Sequence, residues 1–172
     1  MEIKTERLVL RPLGLQHLKS THAYAADPEV TRYMMFLPVE SIDETRKYLA
    51  DCEREWQKPI PGFYEFAILL EGVHIGGVSL YFDTAPDLGE LGWILNPEYQ
   101  DRGYATEAAK GLLELGRDHL GIRRFIAHCD ADNRASQAVM RKLGLTLTDD
   151  TGTRKNRGAE TESREYQYEL FI

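Results

Sequence analysis

Cysteine is scarce in this chain. Cys52 and Cys129 are the only two, far apart and without metal-ligand spacing. Neither a disulfide framework nor a cysteine metal site is expected, and both read as reduced thiols of a cytoplasmic protein. Long apolar runs are missing as well, and none approaches the roughly 20 residues of a membrane span. The opening Met-Glu-Ile-Lys-Thr-Glu-Arg has no apolar leader core, which again points to the cytoplasm. Positive charge is in deficit: 21 Lys and Arg stand against 28 Asp and Glu, a formal net charge of −7. Such a chain is a poor general binder of nucleic acid and would attract a cation such as an amine, although solubility alone also accounts for the balance. The histidines (His17, His22, His74, His119 and His128) are too scattered to suggest a metal, and they read as structural or surface residues. No metal site is expected.

What remains is an ordinary globular composition. With 42% hydrophobic residues over 172 positions, residues 1–172 read as a single domain able to bury a core. Alternation over 7–13 predicts a strand. Leu15, Leu18, His22 and Ala25 fall at helical spacing, and Asp27-Pro28 breaks that helix. Ser41 followed by Glu44 matches a capping box, opening a second helix that runs through Tyr48, Leu49 and Cys52 to about Gln57. Three strands are predicted over 62–71, 73–83 and 90–96, with Asp87-Leu88-Gly89 leading into the third; the short connections imply antiparallel neighbours. A helix from Ala105 to about Leu120 ends at Gly121. A strand over 123–130 leads to a helix capped by Asn133 and stopped by Gly144. Strands over 145–150 and 164–172 close the chain. The order βααβββαβαββ gives a mixed α+β sheet layered with helices.

The hexamer Gln100-Asp101-Arg102-Gly103-Tyr104-Ala105 stands at the mouth of the helix that starts near Ala105. A helix N-terminus exposes unpaired N–H groups and the positive end of the macrodipole, and it holds phosphate when the backbone can come close. Gly103 permits that approach and tolerates positive φ, so the hexamer reads as a pyrophosphate cradle; a tight turn relieved by a glycine is the other reading. No Gly-Lys-Ser/Thr follows, which excludes a Walker loop, and a single glycine excludes the dinucleotide fingerprint. Glu90 lies in "GELGW". In a strand, Glu90, Gly92 and Ile94 share one face and Leu91, Trp93 and Leu95 the other. A carboxylate set between small residues can deprotonate an incoming ammonium, or it can be an ordinary strand glutamate.

The string "GELGWILNPEYQDRGYATEAAKGLL", followed by a strand and by "NRASQAVMRKLG", resembles the GNAT superfamily of acyl-CoA-dependent N-acetyltransferases, and most closely its RimJ/RimL-like branch of ribosomal-protein N-terminal acetyltransferases. Gln100, Gly103 and Ala105 match one motif, and Asn133, Ser136, Lys142, Leu143 and Gly144 match the other. "TERLVLRPL" is similar to the first strand of that branch. The resemblance implies a twisted mixed sheet whose two central parallel strands, here 90–96 and 124–130, splay apart to admit pantetheine. Backbone groups of Trp93, Ile94 and Leu95 would pair with it, and the amides of Gln100, Asp101, Arg102, Gly103, Tyr104, Ala105 and Thr106 would take the pyrophosphate. Asn133 would add a bond to the pantetheine amides, and Ser136 would assist the leaving thiolate. Acetyl-CoA would be the donor and a protein N-terminal α-amine or a small cationic amine the acceptor, attacked directly in a ternary complex with Glu90 as base. A homodimer stays open. The sequence departs from the pattern at Leu145, where phenylalanine is usual, and lacks a tyrosine many relatives use as general acid. A CoA-binding module without turnover is therefore the alternative. Residues 151–163 match nothing in the family pattern.

Overall fold

The computed structural model describes residues 1–82, 85 and 87–172. In chain order the elements are β1 (Ile3–Lys4), β2 (Leu8–Pro12), a 3-10 turn (Leu15–His17), α1 (Leu18–Ala25), α2 (Ile42–Trp56), β3 (Phe63–Leu70), β4 (Val73–Phe82) and β5 (Leu88–Leu95). A second 3-10 turn (Pro97–Tyr99) leads to α3 (Tyr104–His119), β6 (Arg124–Asp130), α4 (Arg134–Lys142), β7 (Thr146–Arg154) and β8 (Ser163–Phe171). The strands form one sheet in the order β1-β2-β3-β4-β5-β6-β8-β7. Among the described residues β5 and β6 pair in parallel and every other neighbour is antiparallel. This is the mixed α+β sheet layered with helices that the sequence resemblance implies.

Helices cover both faces of the sheet. The buried residues of α3 (Ala108, Ala109, Leu112, Leu113) fall at helical spacing and join Leu91, Leu95, Phe125 and Ala127 in the larger core. The helix can lie close because Gly116 meets the Phe125 ring, where an added Cβ would sit 2.8 Å away. On the opposite face α2 brings Leu49 and Cys52 onto Leu13, Ala67 and Leu69 in a second cluster. Both cysteines are buried and free, and burial pushes Cys52 up to about 12 and Cys129 to about 11, which keeps them as inert thiols. No described helix is long and apolar enough to cross a membrane.

The structure corrects several sequence expectations. β1 was not expected, because two residues carry no periodic signal. The helix foreseen from residue 15 begins as a 3-10 turn, and α1 buries Thr21, Tyr24 and Ala25 while Leu15 is exposed. Ser41 does cap α2 by accepting from the Glu44 N–H, but the capping box is only half formed, since the Glu44 carboxylate pairs with Arg157 instead. Leu88 and Gly89 lie inside β5 rather than in a turn. The expected end of β4 at Asp83 falls outside the described residues. β7 continues to Arg154, and its polar, exposed run hid its second half. Gly144 stops α4 as expected, at φ +88°.

Candidate active site

β5 and β6 pair only through Leu88, Glu90 and the residue between them, against Arg124, Phe125 and Ile126, and no pairing follows although both strands continue. They therefore part toward their C-terminal ends. The Ile94 carbonyl lies against Gly76 of β4, where a glycine Cβ would approach it to 2.2 Å. Strand alternation then turns the backbone groups of Leu91, Trp93 and Leu95 toward the opening, and those of Ile94 away from it. The Leu95 carbonyl accepts from Gln100 Nε2 at 3.2 Å, so Gln100 ties the loop to the end of β5.

From that loop the chain enters α3. Asp101 sits at φ +61°, unusual for a residue with a side chain, and Gly103 is the N-cap at φ +81°. No side chain caps this end. The first N–H groups of α3, those of Tyr104, Ala105 and Thr106, have no partner within the helix. This is the geometry of an anion cradle. Arg7 braces it from β2's side: its Nη1 donates to the Arg102 carbonyl at 3.0 Å, and its guanidinium lies 4.6 Å from the Tyr104 ring centre. Beside the cradle a groove of about 430 Å³ is lined by Arg7, Gly103, Thr106, Lys110 and Lys142 among others.

β6 delivers the second motif. Asn133 Oδ1 accepts from the Ser136 N–H at 3.1 Å and caps α4, which leaves its Nδ2 for another partner. Ser136 stands half-buried in the first turn. Glu90 occupies the splay point, opposite Tyr81 on β4 and Ile126 on β6. Its Oε1 lies 2.8 Å from His128 Nδ1, and its side chain keeps 40% exposure. The hydrogen bond to Glu90, opposed by burial, raises the His128 imidazole above its ordinary value.

Residues 7–146 match the acetyltransferase (GNAT) domain family. The chain belongs to that family. It is 30% identical over 150 residues to the uncharacterized N-acetyltransferase YnaD of Bacillus subtilis, covering 84% of this chain and 82% of that one. It is 31% identical over 143 residues to spermidine N(1)-acetyltransferase of Escherichia coli K12, covering 80% and 72%. A solved ribosomal L7/L12 α-N-protein acetyltransferase (RimL) in complex with coenzyme A shares the fold at a TM-score of 0.85, with 22% identity over 100% of this chain and 98% of the other. The protein is thus an acetyl-CoA-dependent N-acetyltransferase, and the uncapped helix mouth at Gly103 fits the diphosphate of that donor.

This GNAT enzyme holds functional groups that sequence reasoning missed. His128 read as structural or surface, yet it contacts Glu90. The available signal was parallel pairing of the two motif strands, which puts His128 two residues beyond the partner of Glu90 and on the same face. Glu65 of β3 was not singled out at all. It is buried, accepts from the Tyr81 hydroxyl, and burial lifts its carboxyl to about 7 against the hydrogen bonds from Tyr81 and Tyr48. Residues 151–163 also gain a role. Arg154 Nη2 donates to the Tyr33 carbonyl at 2.9 Å, and the Arg157 N–H to the Met34 carbonyl at 3.0 Å. Asn156 Nδ2 donates to Asp130 Oδ2 at 2.6 Å, at the end of β6. The β7–β8 loop is thereby clasped to the α1–α2 loop.

Proposed function

We propose that this enzyme is a cytoplasmic member of the RimJ/RimL-like branch and acetylates the primary amine of a cationic acceptor, with a protein N-terminal α-amine as the first reading. The observation that carries it is Glu90 at the splay point, half-exposed beside His128, where a carboxylate can take the proton of an ammonium. A polyamine is the second reading. It is favoured by the half-exposed Glu90 carboxylate on the face opposite α3 and by the spermidine-acetylating relative.

Acetyl-CoA supplies an activated acyl thioester. The N–H groups of Asp101 to Thr106 would hold its diphosphate, that of Gln100 being taken by the Pro97 carbonyl at 3.2 Å, with Gly103 giving the close approach and Lys110 and Lys142 adding positive charge along the groove. The opening-side backbone of Trp93 and Leu95 would bind the pantetheine arm as an added strand, with Asn133 Nδ2 as a further donor; Ile94, whose backbone faces β4, would serve by its side chain. Glu90 would receive the amine proton. The amides on the open edge of β5 would stabilise developing negative charge, and the Ser136 hydroxyl would hydrogen-bond the departing sulfur.

Purified protein with acetyl-CoA should release free thiol with one acceptor class when offered spermidine and other polyamines, aminoglycosides, amino acids and peptides of varied N-terminal residue. Tight CoA binding without thiol release for any of them would overturn the reading in favour of a silent binding module.

A further inference from the structure

His128 stands between two oxygens. Its Nδ1 lies 2.8 Å from Glu90 Oε1 and its Nε2 lies 2.9 Å from Gln167 Oε1. The next links of the chain decide which contact carries a hydrogen. Arg124 holds both oxygens of Glu169, at 3.0 and 2.8 Å, and keeps that carboxyl below the usual range, so Glu169 is ionised and only accepts. The Gln167 amide nitrogen donates to Glu169. Turning that amide over would set its oxygen against a carboxylate, so Gln167 Oε1 is fixed facing His128. An amide oxygen only accepts, so His128 Nε2 must carry its hydrogen. A neutral ring would then present a bare lone pair at Nδ1 to the lone pairs of an ionised Glu90. The 2.8 Å contact holds only with a proton inside it.

We propose that Glu90 and His128 form one proton-holding unit: at neutral pH a single proton lies between Glu90 Oε1 and His128 Nδ1, and the unit accepts the acceptor's proton only after releasing that one. The inference rests on the reading of Glu90 as base, and it makes His128 a positioning residue acting through Glu90. A carboxylate already bound to an imidazolium is a weak base. Once the pair has lost its proton, the step R–NH3⁺ + Glu90⁻/His128 → R–NH2 + Glu90⁻/His128H⁺ balances, with the proton returning to the same contact and the amine lone pair freed for attack.

The surroundings favour the protonated pair. Glu90 faces His128 from β5, Glu165 and Gln167 from β8, and Asp149 from β7; Asp130 follows on β6 itself. The nearby cations are engaged elsewhere, Arg124 on Glu169 and Arg154 on Glu165, while Asp130 is held by Asn156 and Ser163. The hydrogen bond to Glu90 outweighs the burial of the ring in raising its proton affinity.

The test is imidazole ¹⁵N NMR of the histidine-labelled protein between pH 5 and 9, alone and with CoA, using His128→Gln to assign the signals. His128 should titrate above the ordinary 6.5, and its neutral form should carry hydrogen on Nε2. Glu90→Gln, which is nearly isosteric, should lower the midpoint by at least about one unit, a tenfold loss of proton affinity. Gln167→Leu should release the tautomer lock. A midpoint at or below the ordinary value that ignores Glu90→Gln, or a neutral ring protonated on Nδ1, would overturn the proposal. If Glu90→Gln left kcat unchanged yet lowered the His128 midpoint, Glu90 would fall as the base while the shared proton stood.

Discussion

Arg7 and Glu107 join the start of the sheet to the first turn of α3. The Arg7 backbone N–H donates to Glu107 Oε1 and its side-chain Nε to Glu107 Oε2, each at 2.7 Å. The carboxylate lies where the helix dipole favours negative charge. The same guanidinium reaches the Arg102 carbonyl at 3.0 Å, so one side chain fixes the cradle's position relative to β2. Arg7 is partly exposed, so its worth is at the low end for a charged hydrogen bond, about 1 kcal/mol. Arg7→Ala is expected to weaken CoA binding about fivefold, read by calorimetry, with little change in acceptor KM.

Gly103→Val should abolish measurable CoA binding in a protein that still folds. The position has φ +81°, where a β-branched residue is strained, and an added Cβ would come to 3.4 Å from Arg7 Nη2, so a branched side chain would also push on the group that braces the cradle. A folded variant, confirmed by circular dichroism, that kept wild-type affinity in calorimetry would show that the phosphates bind elsewhere.

Much of this architecture was legible in the residues. The helical spacing of α3, the Asn133 cap, the Gly144 stop and the face shared by Glu90, Gly92 and Ile94 follow from local rules, and the structure has all four. What escaped is non-local. His128 meets Glu90 because β5 and β6 pair in parallel, and Glu65 meets Tyr81 because β3 and β4 are neighbours; neither spacing exists along the chain. The half-formed capping box has the same origin, since Arg157, more than a hundred residues on, outcompetes the local partner for Glu44. Ile94 is subtler. Its side chain was placed correctly, but the direction of its backbone depends on which neighbour β5 hydrogen-bonds at that residue.

Glu90→Gln is expected to keep acetyl-CoA affinity while lowering kcat at least roughly tenfold, within the usual 10²- to 10⁴-fold range for general-base assistance or just below it. The loss should be greatest once the Glu90–His128 pair has released its proton, and it should shrink at still higher pH as free amine becomes abundant. Profiles of kcat from pH 6 to 9.5 for both proteins are the measurement. Parallel curves of equal height would make Glu90 a structural strand residue.

Glu65 predicts a pH-dependent stability. Its folded carboxyl lies near 7 against an ordinary 4.5, so between those values the native state binds the proton more tightly than the unfolded chain. Stability from this group is therefore complete below about pH 4.5 and is lost as pH rises through 7, a difference on the order of 3 kcal/mol. Glu65→Gln removes that slope. In urea unfolding, the variant's stability relative to wild type should rise by about this amount from pH 4.5 to 8. A constant difference across that range would mean that folding does not raise the Glu65 carboxyl.

The parting of β5 and β6 leaves a strand edge inside a sheet, and its donors and acceptors belong to peptide units rather than to side chains. Only proline can delete one of the donors, and no substitution removes an acceptor. A binding surface made of main chain is inherited with the topology, so side chains along β5 can drift as long as the strand keeps its register. The clasped loops, where Arg154 and Arg157 hold the β7–β8 loop against the α1–α2 loop, are held by side chains instead and can change without touching that edge.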